Sequence, residues 1–168
     1  MLYYLPMITK EQFIASLLWE ISIIKHLWEK IDASKLDYKP TEKQRTTLEL
    51  LQYMGQMIST GVLAHIAGSQ DMYIELSKSK DSITYENFVG KMDEQASVVT
   101  EKVGALTDED MKTMATIWGN TAPLSERLMG VLKNAVAYKM QLFLYIKASG
   151  NDAIGTSNLW GGRDMPNA

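Results

Sequence analysis

The chain has 168 residues with a formal net charge of -3, 46% apolar and 22% charged residues, values that suit one globular unit spanning 1–168. A charge this mild, with no Lys/Arg run to neutralise phosphates, excludes a nucleic-acid partner as the expected function. The absence of cysteine removes disulfides, thiolate metal sites and a cysteine nucleophile.

The opening MLYYLPMITKEQF is apolar but broken by Pro6, and it has neither a basic leader nor a small-residue cleavage site, so it is not read as a signal peptide. No stretch reaches the roughly 18–20 apolar residues of a membrane span. The expected location is cytoplasmic, with no membrane partner.

Thr9 followed by Gln12 forms a capping-box pattern that opens a first helix, expected from about Lys10 to Ala33. Phe13, Leu17, Ile21, Ile24, Trp28 and Ile31 recur at helical spacing and mark its core face. Trp19, Ile23 and His26 lie well round the cylinder, which gives a second apolar face that a partner could cover. A second helix, reaching about Ala67, starts from either of two capping boxes, Thr41 with Gln44 or Thr46 with Glu49. Leu51, Met54, Ile58, Gly61 and His65 form its stripe, and Gly68 stops it. Residues 69–81 suit either a short helix or a packed loop.

A third helix follows Thr84, with Phe88, Met92, Ala96, Val99, Val103 and Leu106 at helical spacing. The acidic TDED at 107–110 suits the positive end of a short helical turn. MATIWGNTAP is read as a connector, because Gly119, Asn120 and Pro123 punctuate it. The fourth helix runs from near Pro123 to Gly150. Beyond it, residues 151–168 are expected to be an irregular tail pinned by Trp160. Four amphipathic helices with long, unequal connections predict an all-α four-helix bundle, in which sites are built at the axis from facing helices.

Chemistry is harder to find. The two histidines, His26 and His65, exclude a three-histidine metal site. His65 on the inward stripe is either a hydrogen-bonded core residue or a ligand paired with a carboxylate from elsewhere; His26 is expected at the surface or an interface. No nucleophile elbow, phosphate-binding glycine loop or Glu-x-x-His pair occurs. The Gly161-Gly162 pair beside Arg163 is a weak anion signal, and the eleven methionines suit core filling better than a plastic binding surface.

KPTEKQRTTLELLQYMGQM, LTDEDMKTM, LKNAVAYKMQLFLYIKASG and the ending TSNLWGG together resemble the DinB-like superfamily. That group of four-helix bundles contains a damage-inducible bacterial family, thiol-dependent transferases and maleylpyruvate isomerase-like proteins. The resemblance places the family's helix-two histidine at Tyr53 and its two final-helix histidines at Asn134 and Tyr138; the motif glutamine stands at Gln141, and its arginine is Lys139. It therefore implies a family member with a degenerate metal site and no metal or other cofactor. Neutral imidazole binds divalent ions readily, whereas a phenol must first lose a proton with a pKa near 10 and an amide carbonyl is a weak ligand. Phenol rings would fill the vacated space, with the hydroxyls and the Asn134 amide satisfying one another.

Two readings follow. The favoured one is a non-catalytic binding or interaction module, a homodimer with a small-molecule ligand in the bundle core as a further option. The pocket set is then Tyr53, Asn134, Tyr138, Gln141 and His65. The alternative is an enzyme of the thiol-transferase or isomerase group with a rebuilt pocket, in which Tyr53 and Tyr138 donate, Asn134 orients a substrate and His65 acts as base.

Overall fold

A computed structural model describes residues 8–165. The apolar opening MLYYLPM, and with it most of the stretch read for a signal peptide, lies outside the described residues, as do the last three. Helix α1 spans Lys10–Trp28 and begins at the predicted box, with Gln12 N donating to Thr9 Oγ1 at 3.2 Å and Thr9 N to Gln12 Oε1 at 2.9 Å. It stops short of Ala33. Asp32 accepts from Ser34 N at 2.9 Å and holds Ala33–Lys35 in a separate 3₁₀ turn, so a local side-chain bond competes with the helix.

Helix α2 spans Thr47–Ala67 and takes the later of the two candidate boxes: Glu49 N donates to Thr46 Oγ1 at 3.2 Å and Thr46 N to Glu49 Oε2 at 2.7 Å. Gly68 closes it in the left-handed conformation. Ser69 caps a short helix, α3 (Gln70–Leu76), which decides between the two readings of that segment. Helix α4 spans Phe88–Val98 and continues as a π turn through Val103. Asp110–Lys112 form the expected short turn, with Asp110 N donating to Thr107 Oγ1 at 3.2 Å.

Residues 114–123, expected to be a connector, form an antiparallel hairpin instead. Strands β1 (Met114–Ile117) and β2 (Asn120–Pro123) pair with Ile117 opposite Asn120 and Met114 opposite Pro123. Only Trp118 and Gly119 remain for the loop, and both have positive φ, 49° and 75°, as a tight two-residue hairpin of this kind requires. Glycine takes that conformation freely. A tryptophan does so at a cost of roughly 1–3 kcal/mol.

Helix α5 spans Leu124–Ala148 and starts directly after Pro123. The tail is not irregular throughout: Thr156–Gly161 form helix α6, entered through Gly155 N donating to Asn158 Oδ1 at 2.8 Å. Its buried anchors are Ile154 and Leu159, while Trp160 stays 54% exposed. Helix α6 lies on α1, with Gly162 against Ile23. Ile23 is therefore fully buried, and the second apolar face expected on α1 is largely internal. His26 is covered too, its Nε2 lying 3.1 Å from Asn158 Nδ2.

The four long helices close a ring in which α1 packs on α5, α5 on α2, α2 on α4 and α4 on α1. This is an all-α bundle carrying one small hairpin. Leu17, Ile24, Leu51, Met54, Ile58, Phe88, Met92, Leu128 and Leu142 fill its axis. The buried Gln95 of α4 ties this helix to its neighbour α2: it accepts from Ile58 N at 2.8 Å and donates to Met54 O at 3.0 Å, fixing the middle of α2. No helix among the described residues is long and apolar enough to cross a membrane.

Candidate functional site

Helices α2 and α5 bring Tyr53, Asn134 and Tyr138 together. Asn134 Nδ2 donates to Tyr53 Oη at 3.2 Å, and the rings of Tyr53 and Tyr138 are 4.6 Å apart and tilted by 47°. The Tyr53 hydroxyl also meets Tyr73 Oη at 3.3 Å. Burial, then the bond to Tyr73, pushes the Tyr53 phenol above its ordinary pKa, while the Asn134 contact opposes this. The Arg45 guanidinium lies 4.7 Å from the Tyr53 ring centre and 6.0 Å from that of Tyr138. Gln141 points elsewhere: it donates to Tyr145 Oη at 3.1 Å, and that hydroxyl donates to Arg45 O at 3.1 Å. It thereby holds the segment that carries Arg45.

Beside this cluster an open cleft of about 720 Å³ runs between α2, α5 and the hairpin. Tyr53 and Asn134 line it; Tyr138 and Gln141 do not. His65 lines it as well, at its other end, twelve residues after Tyr53 on the same helix and so about 18 Å along the axis. One wall is aromatic from end to end. The Tyr53 hydroxyl meets that of Tyr73, the Tyr73 ring lies edge-on to Trp118 at 5.0 Å, and Trp118 lies edge-on to His65 at 6.2 Å. The strained Trp118 is 53% exposed over the opening, and its backbone N–H donates to Gln70 Oε1 at 3.2 Å.

The other wall, on α5, is polar. Arg127 is 6% exposed and carries no carboxylate partner among the described residues. Its guanidinium donates to three backbone carbonyls, those of Ala122 at 3.1 Å, Thr113 at 3.0 Å and His65. Burial draws the pKa of His65 below 6.5, and the nearby Arg127 charge adds to this, so the imidazole stays neutral near pH 7. Its Nδ1 is buried without a hydrogen-bond partner. An unmet acceptor is cheaper than an unmet donor, so the ring proton belongs on Nε2. Sequence reasoning missed Tyr73, Trp118 and Arg127. The nearest signal was the positive-φ demand of a Trp-Gly hairpin loop, hidden while the segment was read as a connector.

Across α5 lies a second polar group of a different kind. Lys139, 1% exposed, pairs with Glu20 of α1 at 2.6 Å, and Trp160 of α6 covers the ammonium at 4.8 Å.

A search of solved structures finds a DinB-like protein, YjoA from Bacillus subtilis, with a TM-score of 0.65 and 18% identity, covering 83% of this chain and 92% of that one. The fold is DinB-like. No family model matches the sequence, and no curated protein matches it. The superfamily resemblance raises a divalent metal, and the donor set at the positions which that resemblance assigns, Tyr53, Asn134 and Tyr138, does not fit one. Tyr53 is held protonated, Asn134 turns its amide nitrogen to Tyr53, and a guanidinium lies over both rings. Among the described residues no three His, Cys, Asp or Glu side chains converge elsewhere.

Proposed function

We propose that this chain is a non-catalytic binding module of DinB-like fold that takes a small molecule in the cleft between α2, α5 and the hairpin. The observation that carries the reading is the split between two neighbouring regions. The Tyr53 hydroxyl is taken by Asn134 and Tyr73 and its ring packs on Tyr138 beneath Arg45, whereas the cleft that Tyr53 and Asn134 border is open and holds the unpartnered Nδ1 of His65. Self-association as a homodimer belongs to the same proposal. Its support is the exposed indole of Trp19 on α1, without Ile23 beneath a partner.

Metal content and ligand binding test it together. Purified protein analysed by plasma mass spectrometry is expected to hold well under one equivalent of zinc, nickel, iron or manganese; one equivalent per chain overturns the non-metal reading. In an NMR fragment screen, amide shifts are expected to gather on residues 53–65 and 117–134. A library that leaves those amides unmoved removes the cleft as a binding site. Light scattering at micromolar concentration reads the oligomeric state.

The rebuilt-enzyme alternative draws support from the cleft itself, lined by a tyrosine and a neutral histidine. Against it stands the span of about 18 Å along α2 between Tyr53 and His65, since acid and base must both reach one reacting centre within hydrogen-bond distance.

A further inference from the structure

The geometry points to a ligand class for the cleft: we propose that it binds an aromatic carboxylate, the ring against the wall of Trp118 and Tyr73 and the acid group toward Arg127 and His65, with Lys133 farther along α5 adding positive charge. This rests on the preceding reading that the cleft takes a small molecule.

The charge comes first. Arg127 and Lys133 both line the cleft, against a single lining carboxylate, Glu126, exposed at the rim. A guanidinium has five N–H donors, and Arg127 directs three to carbonyls of Ala122, His65 and Thr113, so its formal charge lacks a counter-ion and donors remain. A carboxylate supplies the missing partner in its preferred form. His65 adds a neutral Nε2–H donor at the same end, because its orphaned Nδ1 is best left as an acceptor. A cationic guest would meet the same two positive groups and be repelled, which decides against an aromatic cage for an ammonium ion despite the ring content.

The body of the guest follows from the opposite wall. Trp118 is large, half exposed and held at φ 49°, where asparagine or glycine would sit without strain. Tryptophan at this position gains nothing for the turn. What it does is extend an aromatic surface from Tyr73 to His65 at ring separations of 5.0 and 6.2 Å. Met57 and Val131 close the cleft with apolar surface, and its volume of about 720 Å³ falls in the range of small-molecule sites. A flat apolar body with one acidic edge matches both walls.

The test uses three isosteres titrated into the intact chain by calorimetry and NMR: 2-naphthoate, neutral 2-naphthylmethanol and the cation 2-naphthylmethylammonium. 2-Naphthoate is expected to bind at least about fivefold more tightly than the other two, moving amides of 117–134. Trp118→Asn is expected to lower that affinity about tenfold while the melting temperature stays level or rises, since asparagine relieves the turn. Lys133→Glu, at an exposed position, is expected to weaken naphthoate about fivefold and leave naphthylmethanol unchanged. Equal or tighter binding of the neutral or cationic probe in the cleft overturns the carboxylate assignment and leaves the binding module standing. Naphthoate that does not bind at millimolar concentration, or that binds Trp118→Asn unchanged, overturns it as well. An empty fragment screen removes both.

Discussion

The two flanks of α5 solve the same problem in opposite ways. On the side of α1, Lys139 is buried against Glu20 and roofed by Trp160, so its charge is paired and shut away from water. On the side of α2, Arg127 is also buried but paired only with carbonyls, and the groove beside it stays open. A bundle of apolar helices tolerates a buried cation only where something compensates it. On the first flank an internal carboxylate supplies the counter-charge. On the second only neutral carbonyls face the cation, with no carboxylate partner among the described residues.

The sharpest way to break this contrast is on the sealed flank. Glu20→Ala leaves the Lys139 ammonium buried without its carboxylate and is expected to cost about 3–5 kcal/mol in urea unfolding, while Glu20→Leu combined with Lys139→Met should recover most of that. A loss below about 1 kcal/mol would mean that water reaches the pair. On the open flank the effects are smaller. Tyr53→Phe deletes the hydroxyl shared by Asn134 and Tyr73, and a loss of about 0.5–1.5 kcal/mol is expected by the same measurement.

The smallest effect is a pH slope. His65 has a folded pKa below 6.5, so the unfolded chain takes up the proton first. The His65 contribution to stability is then complete above about pH 6.5 and declines as pH falls through that value toward the folded pKa. His65→Phe is expected to flatten this part of the profile, read as urea midpoints between pH 5 and 7.5. An unchanged slope would assign the acid sensitivity to other groups.

Legibility in the sequence followed the length scale of each signal. Helices α1, α2 and α5 could be read because their stripes repeat over five or more turns, and Thr9-Gln12 and Gly68 mark ends of the first two as expected. The hairpin could not: its strands have four residues each, too few to show alternation, and Trp-Gly is an unusual turn pair. Helix α6 was hidden by its glycines, although Asn158 three residues after Gly155 was a usable start signal. Its presence alters the reading of α1, because Gly162 at its end covers Ile23. The resemblance singled out Tyr53, Asn134 and Tyr138, which α2 and α5 bring together. Arg127 and Trp118 depend on where the hairpin folds back, and no periodicity carries that.

Arg127 has one more consequence. Its three acceptors belong to the end of α2, the approach to β1 and strand β2, so a single side chain fastens the hairpin to the bundle. Leu124 N, donating to Thr113 O at 2.9 Å, reinforces the same joint. The loop bearing Trp118 cannot lift away without surrendering several charge-assisted bonds together. The walls of the cleft are thus set during folding, and a ligand of the proposed kind should associate without a slow rearrangement.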